Sequence, residues 1–386
     1  MTFSEAAVTT EEQALRLSRS IIGEAEARAV SRVLLEDGYL GMGNEVRLFE
    51  KELAEFLGVA PEQVITVNTG TAALHLAVEA IAPRGGGEVL VPSLTFVASF
   101  QAVAAAGCTP VACDCLPGTG TLDLKDAEKR LGARTFAVMP VDYAGNPWQL
   151  DEVYGFAARR GLRVVEDAAH AFGCRSRGRN IGSFGDMVCF SFDGIKNITS
   201  GEGGCVVSFD TQAARRIADA RLLSVEGDTQ KRFAGARSWN PDVTRQGWRY
   251  HMSNIMAALG RVQLARLEAE FGPARRALAA RYRECLAGLP GIAFLRTDPA
   301  DHIVPHILPV RVLRGRRNAV KDALAAAGIP TGVHYKPNHL LTYFGGGAVR
   351  LPATERLYGE LLTLPLHPGL DGQDVDDICA ALRSAI

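Results

Sequence analysis

The feature that most constrains this chain is the alternation of short, wholly apolar runs with helical segments between residues 64 and 208. "VITV" leads into "NTGTAALHLAVEAIA", and "EVLVP" leads into "SLTFVASFQAVAAAG". Then come "TPVACD", "TFAVMPV", the helix "QLDEVYGFAARRG" and the run "RVVEDAA". Strands that are apolar on both sides need cover on both faces, and a helix between successive strands makes neighbours parallel. The pattern predicts an α/β fold, with a large domain whose mainly parallel sheet is sandwiched by helices. Two more strands, "DMVCFSF" and "GGCVVSF", extend it. Ligands of such sheets gather at the carboxyl ends of the strands, so polar residues that directly follow a strand become candidates.

Beyond residue 250 the pattern changes. Met252 to Leu289 is strongly helical, "IVPHILPVRV" resumes strand character, and a helix over 316–327, a strand "PTGVHYK" and a helix over 374–385 follow. These predict a smaller C-terminal α+β domain, giving a division into 1–250 and 251–386. The segment 226–248 is polar and irregular for too long to be a simple connector, and loops of that length are usually functional or mobile.

Several function classes are disfavoured. A net charge of −1 argues against general attraction to nucleic acid or to an anionic membrane. Val89 to Cys113 carries no charge, but Pro92, Gly107 and Pro110 break it, so a buried strand–helix–strand unit is expected rather than a membrane span. The opening "MTFSEAAVTTEEQ" has acids and no apolar core, unlike an export or transit signal. The eight scattered cysteines are therefore expected to be reduced thiols in the cytoplasm. No CxxC or HExxH occurs, and Pro305 between His302 and His306 argues against a metal-binding helix, so no metal is expected. His75 and His367 read as structural. "RGRR" (Arg314 to Arg317) reads as the start of an exposed helix, with a phosphate contact as the alternative.

Three elements carry candidate chemistry. Asp167, in "RVVEDAAHAFG", follows a buried strand: it is either a helix N-cap or a buried carboxylate that needs a cation, such as a protonated pyridine nitrogen. Gly70–Thr71 stand where a strand gives way to a helix, so free N–H groups and the helix dipole offer a phosphate site. Lys196, in "FSFDGIKNITSGEGG", is the only Lys or Arg from Asn180 to Ala214. An amine in a partly desolvated pocket has a lowered pKa and attacks carbonyls to form Schiff bases. Phosphate site, buried acid and lone amine together match the needs of pyridoxal 5'-phosphate (PLP).

In this order, "NTGTAALHLA", "EVLVPSLTFVAS", "VVEDAAHAFG", "FSFDGIKNITSGEGG", "RYHMSNIMAALGRVQL", "GVHYKPNH" and "LLTLPLHPGL" resemble the DegT/StrS group of nucleotide-sugar aminotransferases, which are fold type I PLP enzymes. The similarity runs from about Leu17 to the C-terminus. It implies that Lys196 is the Schiff-base lysine and that Asp167 partners the pyridine nitrogen. It implies that Gly70, Thr71 and Ser191 hold the phosphate, that Phe96 stacks on the ring, and that His170 lies near the phenolic oxygen. By the same resemblance His334, Tyr335 and His339 approach the substrate. The segment ending "GWRYHMSN" would cross to a second subunit of a homodimer, with Arg249 or His251 at the shared site. Many relatives have Asn-Tyr-Arg where this chain has Arg249-Tyr250-His251. Some replace the lysine with histidine and become dehydratases; the lysine here implies transamination.

The implied reaction aminates a nucleotide-linked keto-sugar of the 4-keto-6-deoxyhexose series, with L-glutamate as donor and pyridoxamine 5'-phosphate (PMP) as the alternate cofactor form. Two alternatives are a PLP-binding regulator without turnover and a nicotinamide-dependent oxidoreductase. The second rests only on Gly41 and Gly43 in "GYLGMGNEV", which lacks a preceding strand and a third glycine.

Overall fold

The computed structural model describes residues 15–236, 239–240 and 242–386, so "MTFSEAAVTTEEQ" and part of the irregular segment lie outside the described residues. In chain order the first half comprises α1 (Glu24–Arg32), α2 (Asn44–Leu57), β1 (Val64–Val67), α3 (Gly70–Ile81), β2 (Glu88–Pro92), α4 (Val97–Ala105), β3 (Thr109–Cys113), α5 (Leu124–Lys129), β4 (Thr135–Val138), α6 (Leu150–Arg160) and β5 (Arg163–Asp167). A small ribbon of β6 (Arg175–Ser176) and β7 (Arg179–Asn180) precedes β8 (Met187–Ser191), β9 (Gly204–Ser208), α7 (Thr211–Ala220) and α8 (Asp228–Phe233). The remainder is α9 (Asn254–Arg266), α10 (Gly272–Cys285), β10 (Ile292–Phe294), β11 (Leu308–Val312), α11 (Arg317–Ala326), α12 (Pro352–Glu360), β12 (Leu361–Leu364) and α13 (Gly372–Ala385).

Seven strands form one sheet in the order β1-β9-β8-β5-β4-β2-β3. Only β9 runs against its neighbours; β2–β3, β2–β4, β4–β5 and β5–β8 all pair in parallel. The apolar runs that define these strands bury both faces. On one face Leu74, Leu76 and Val78 of α3 and Phe100 and Val103 of α4 pack on Val89, Val91 and Val165. On the other, Phe49 and Leu53 of α2 and Ala257 and Leu264 of α9 meet Val188, Phe190 and Val207. The uncharged stretch from Val89 to Cys113 is β2–α4–β3, as expected, and among the described residues no helix is long and apolar enough to cross a membrane.

Strands β10, β11 and β12 make an antiparallel three-stranded sheet. Its core joins Val310 and Val312 to Leu278 and Tyr282 of α10, Val320 and Leu324 of α11, and Ile378 and Leu382 of α13. The expected division after residue 250 assigns α9 to this second unit, yet Ala257 and Leu264 lie in the core of the first. A π-helical turn, Leu267–Phe271, separates α9 from α10.

Two expectations changed. "PTGVHYK" forms no strand: Gly332 makes one isolated bridge to Thr363, and a 3-10 turn, Asn338–Leu340, follows. "GYLGMGNEV" follows a π-helical turn rather than a strand, and Gly43 simply caps α2, so nothing remains of the nicotinamide reading.

Candidate active site

The carboxyl ends of β5 and β8 and the start of α3 open on one cavity of about 390 Å³. Gly70, Thr71, Phe96, Asp167, His170, Ser191, Lys196, His334 and Tyr335 all line it. These are residues the sequence singled out, drawn from positions up to 265 apart (70 to 335).

Asp167 ends β5, and its backbone is fixed on both sides: its N–H donates to Pro140 O (2.9 Å) and its carbonyl accepts from Asp142 N–H (3.1 Å). No helix follows, so the N-cap alternative falls away; Oδ1 accepts the Ala169 N–H at 3.2 Å in a local turn. Oδ2 accepts the Ser99 hydroxyl at 2.7 Å from the first turn of α4. Burial pushes the Asp167 pKa up, opposed by those two hydrogen bonds and by the Lys196 charge.

At the start of α3 the Thr69 hydroxyl accepts the Ala72 N–H at 3.0 Å and so caps the helix. The N–H groups of Gly70 and Thr71 stay free of that cap. Gly70 is required by close approach: a Cβ there would lie 2.7 Å from Ser191 Cβ and 2.9 Å from its Oγ. The absent side chain lets the end of β8 and the helix start share one polar corner.

Lys196 sits in the loop after β8, its N–H bonded to Asp193 O at 3.0 Å. Burial pulls its pKa down to about 8, against the charges of Asp167 and Asp193, which push it up. Among the described residues one side chain stands within hydrogen-bonding distance of its amine, His306 through Nε2 at 3.4 Å. Sequence reading weighed His306 only as half of a metal pair. Its partner is 110 residues away, a separation that no local pattern carries.

The opposite wall is aromatic. His170 Nδ1 accepts the Ala144 N–H at 3.3 Å, which leaves Nε2 to donate to Tyr335 Oη at 3.1 Å. Burial holds the His170 pKa well below the usual imidazole range, so the ring is neutral. Phe96 precedes α4, is 53% exposed, and tilts over Tyr335 with centroids 5.4 Å apart. The Tyr143 hydroxyl donates to the His334 carbonyl.

Three candidates lie elsewhere. His339 is buried against Ser93 Oγ, 2.8 Å from Nδ1, and near Glu355, 3.5 Å from Nε2, and does not line the cavity. Arg249 and His251 also lie outside it: Arg249 is exposed and bridges Leu222, and burial lowers the His251 pKa to about 4. Conversely, Ser99, His306, Tyr143 and Glu202 belong to or support the cavity without having been expected there.

A lone amine facing a strand-end carboxylate, with a capped helix start alongside on a sheet of this order, is the equipment of an aminotransferase. The chain belongs to the DegT/DnrJ/EryC1/StrS aminotransferase family, whose model matches residues 20–383. It is 34% identical over 378 residues to a dTDP-4-dehydro-2,3,6-trideoxy-D-glucose 4-aminotransferase of Saccharopolyspora spinosa, covering 96% of this chain and 97% of that one. Among solved structures it is similar to the aminotransferase TlmJ of Streptoalloteichus hindustanus, with a TM-score of 0.89, 33% identity, and 97% and 99% of the two chains covered. It is also similar to Spr1654 of Streptococcus pneumoniae, solved in a PLP form and a PMP form, with a TM-score of 0.85, 28% identity, and 97% and 98% covered. The enzyme class and the fold expected from the sequence both stand.

Proposed function

We propose that this aminotransferase uses PLP to move an amino group from L-glutamate to the 4-keto carbon of a nucleotide-linked 6-deoxyhexose. The observation that carries the reading is that Lys196, Asp167 and the start of α3 meet in a single cavity. The name of the Saccharopolyspora spinosa relative supports the 4-keto position.

The donor set fits the cofactor. Gly70 and Thr71 present free N–H groups at a helix start whose Cβ-free corner admits an anion beside the Ser191 hydroxyl. Asp167 is a buried carboxylate whose hydrogen bonds favour its ionised form, suited to a protonated ring nitrogen. Phe96 offers a ring face, and His170 with Tyr335 a polar wall for the phenolic oxygen. When bound, PLP supplies an aldehyde for amine exchange and a ring that takes up an electron pair. Lys196 accepts the proton leaving the donor's α-carbon and returns one to the sugar carbon that receives nitrogen. Its lowered pKa, about 8, keeps a share of the amine neutral at working pH. His334 and Tyr335 line the cavity and would meet the sugar there; His339 does not line it and is left out of the substrate set.

We also propose a cytoplasmic homodimer. Trp239 is 90% exposed and Leu35 81% exposed, two apolar side chains that a partner subunit would cover. Arg249 or His251 then serves the neighbouring site. A fully active monomer in light scattering would remove that part.

The test mixes holoenzyme and L-glutamate with a panel of nucleotide keto-sugars and follows amino-sugar by mass spectrometry. Turnover of a 4-keto-6-deoxy substrate is expected. Borohydride reduction is expected to fix the cofactor on the peptide holding Lys196, and Lys196→Ala to abolish both signals. Cofactor fixed on another lysine, or no turnover with any keto-sugar, would overturn the reading.

A further inference from the structure

Arg275 is a charge in the wrong place. It lies on α10, 2% exposed, and among the described residues it meets no carboxylate. Burial draws its pKa down to about 10, which leaves it a cation at neutral pH. A buried guanidinium without a counter-ion is costly, and among the described residues Nε has no hydrogen-bond partner. Its hydrogen bonds go to backbone carbonyls: His306 O at 3.1 Å, Pro305 O at 3.3 Å, Lys196 O at 3.4 Å and Leu366 O at 3.5 Å. Those carbonyls belong to three separate stretches of chain. One carries Lys196, one precedes β11, and one follows β12.

We propose that Arg275 and His306 are positioning residues for Lys196. The guanidinium fastens the backbones of Lys196 and His306 together, while His306 Nε2 aims the Lys196 amine into the cavity. The inference rests on the reading of Lys196 as the reacting amine, and it assigns the second unit of the fold a part in preparing that amine.

The surroundings bear this out group by group. Around the Lys196 amine stand Asp167 from β5, Asp193 from its own loop, His170 from the turn after β5, His306 from the approach to β11, His334 from the stretch before the Asn338–Leu340 turn, and Arg275 from α10. The two carboxylates favour the ammonium form. Burial opposes them most strongly, and the Arg275 charge adds to it. Burial first, then the Lys196 charge, keeps His306 well below the usual imidazole range. His306 is therefore a neutral ring that orients the amine without taking its proton. Among the described residues its Nδ1 has no partner, and the ring's one hydrogen-bonding commitment is to Lys196.

Two measurements test it. In the first, the full chain stripped of cofactor is trace-labelled with acetic anhydride across a pH series, and acetylation of Lys196 is read by mass spectrometry. Only the neutral amine reacts, so the midpoint reports its ionisation. We expect a midpoint near 8 in the native chain and, in Arg275→Met, a rise of about one pH unit, or about tenfold less neutral amine below the midpoint. Arg275→Lys, which keeps a cation, stays near the native midpoint. In the second, borohydride-trapped attachment of PLP is timed. His306→Phe slows it about tenfold and His306→Gln, which keeps an acceptor, recovers most of the rate, as one lost oriented contact of about 1.4 kcal/mol implies. A folded Arg275→Met with the native midpoint, or His306→Phe attaching cofactor at the native rate, overturns the proposal. The His306 arm stands even if Arg275→Met does not fold. A native midpoint near 8 in a chain that never attaches PLP would instead refute the cofactor reading and leave the lysine's environment as described.

Discussion

Ser99 donates its hydroxyl hydrogen to Asp167 Oδ2 at 2.7 Å, across 68 residues of sequence. Thr95 Oγ1 stands 2.8 Å behind Ser99 Oγ, so a short relay of hydroxyls ends on the carboxylate expected to face the cofactor's ring nitrogen. The bond favours the ionised carboxylate against a burial that disfavours it. Ser99→Ala should therefore raise the Asp167 pKa further and weaken PLP binding by about tenfold, the worth of about one pKa unit. Cofactor fluorescence titration measures this, and an unchanged dissociation constant would show that the relay does not set the carboxylate's state.

Asp167 also makes a prediction about pH. Its folded-state pKa is raised, so its contribution to stability is present in full below the unfolded value of about 4 and is lost as pH climbs through the folded one. As pH rises through that interval, ionising the buried carboxylate costs the cofactor-free protein stability. Asp167→Asn should melt about 2 °C higher than the native chain at pH 7 without cofactor, with the gap closing near pH 4. With PLP present the order should reverse. Calorimetry at both pH values decides it; a lower melting point for the cofactor-free variant at pH 7 would contradict the argument.

At Gly70 the constraint is steric. A methyl group there meets Ser191 Cβ at 2.7 Å and Oγ at 2.9 Å, and neither strand β8 nor helix α3 has room to retreat from the core beneath it. Gly70→Ala should cost about 1–3 kcal/mol of stability and weaken phosphate-dependent binding of PLP more than tenfold. Binding of unphosphorylated pyridoxal should change far less. Equal losses for both ligands would mean that the corner does not hold phosphate.

The sequence was most informative where function and local pattern coincide. Asp167 ends an apolar run, Gly70 interrupts a strand-to-helix turn, and Lys196 is alone among neighbours without bases. Each is visible within a dozen residues. Ser99 is hidden because it sits in a mostly apolar helix, where serine passes for packing, and only the fold brings β5 beneath it. His306 and Arg275 act across 110 and 79 residues, one through a ring nitrogen and the other through backbone carbonyls. Neither leaves a periodic trace. The mixed fate of "GVHYKPNH" has a similar cause. Spacing cannot tell which ring faces the cavity once the chain bends into a 3-10 turn.

That bend separates His339 from its neighbours in a testable way. His339 is committed to Ser93 and Glu355 inside the protein, whereas Tyr335 lines the cavity and meets His170. His339→Ala should destabilise the fold by about 1–3 kcal/mol through its unpaired partners and leave the KM for the sugar nucleotide unchanged. Tyr335→Phe should do the opposite, altering kinetic constants with little effect on melting temperature. A raised KM in a fully stable His339→Ala would return that residue to the substrate site.

A buried ion pair holds the strand-to-helix turn before Gly70 in place. Arg221, after α7, is fully buried and reaches Glu50 Oε1 at 2.5 Å and Thr66 O at 2.6 Å. Glu50 Oε1 also accepts the N–H and hydroxyl of Thr66, both at 2.9 Å. The same Arg221 offers its carbonyl to Tyr250 N–H at 3.0 Å, and Tyr250 O accepts Asn68 N–H at 2.7 Å, two residues before Gly70. One buried ion pair therefore ties α2, β1 and the approach to α9 to the turn that opens α3. Removing one member leaves the other charge buried, which costs about 3–5 kcal/mol, while removing both together costs much less. Arg221→Leu should lower the urea midpoint sharply, and the double variant Arg221→Leu/Glu50→Leu should recover most of the loss. Additive losses in the double variant would mean that the two side chains act through packing alone and that their charges are not coupled.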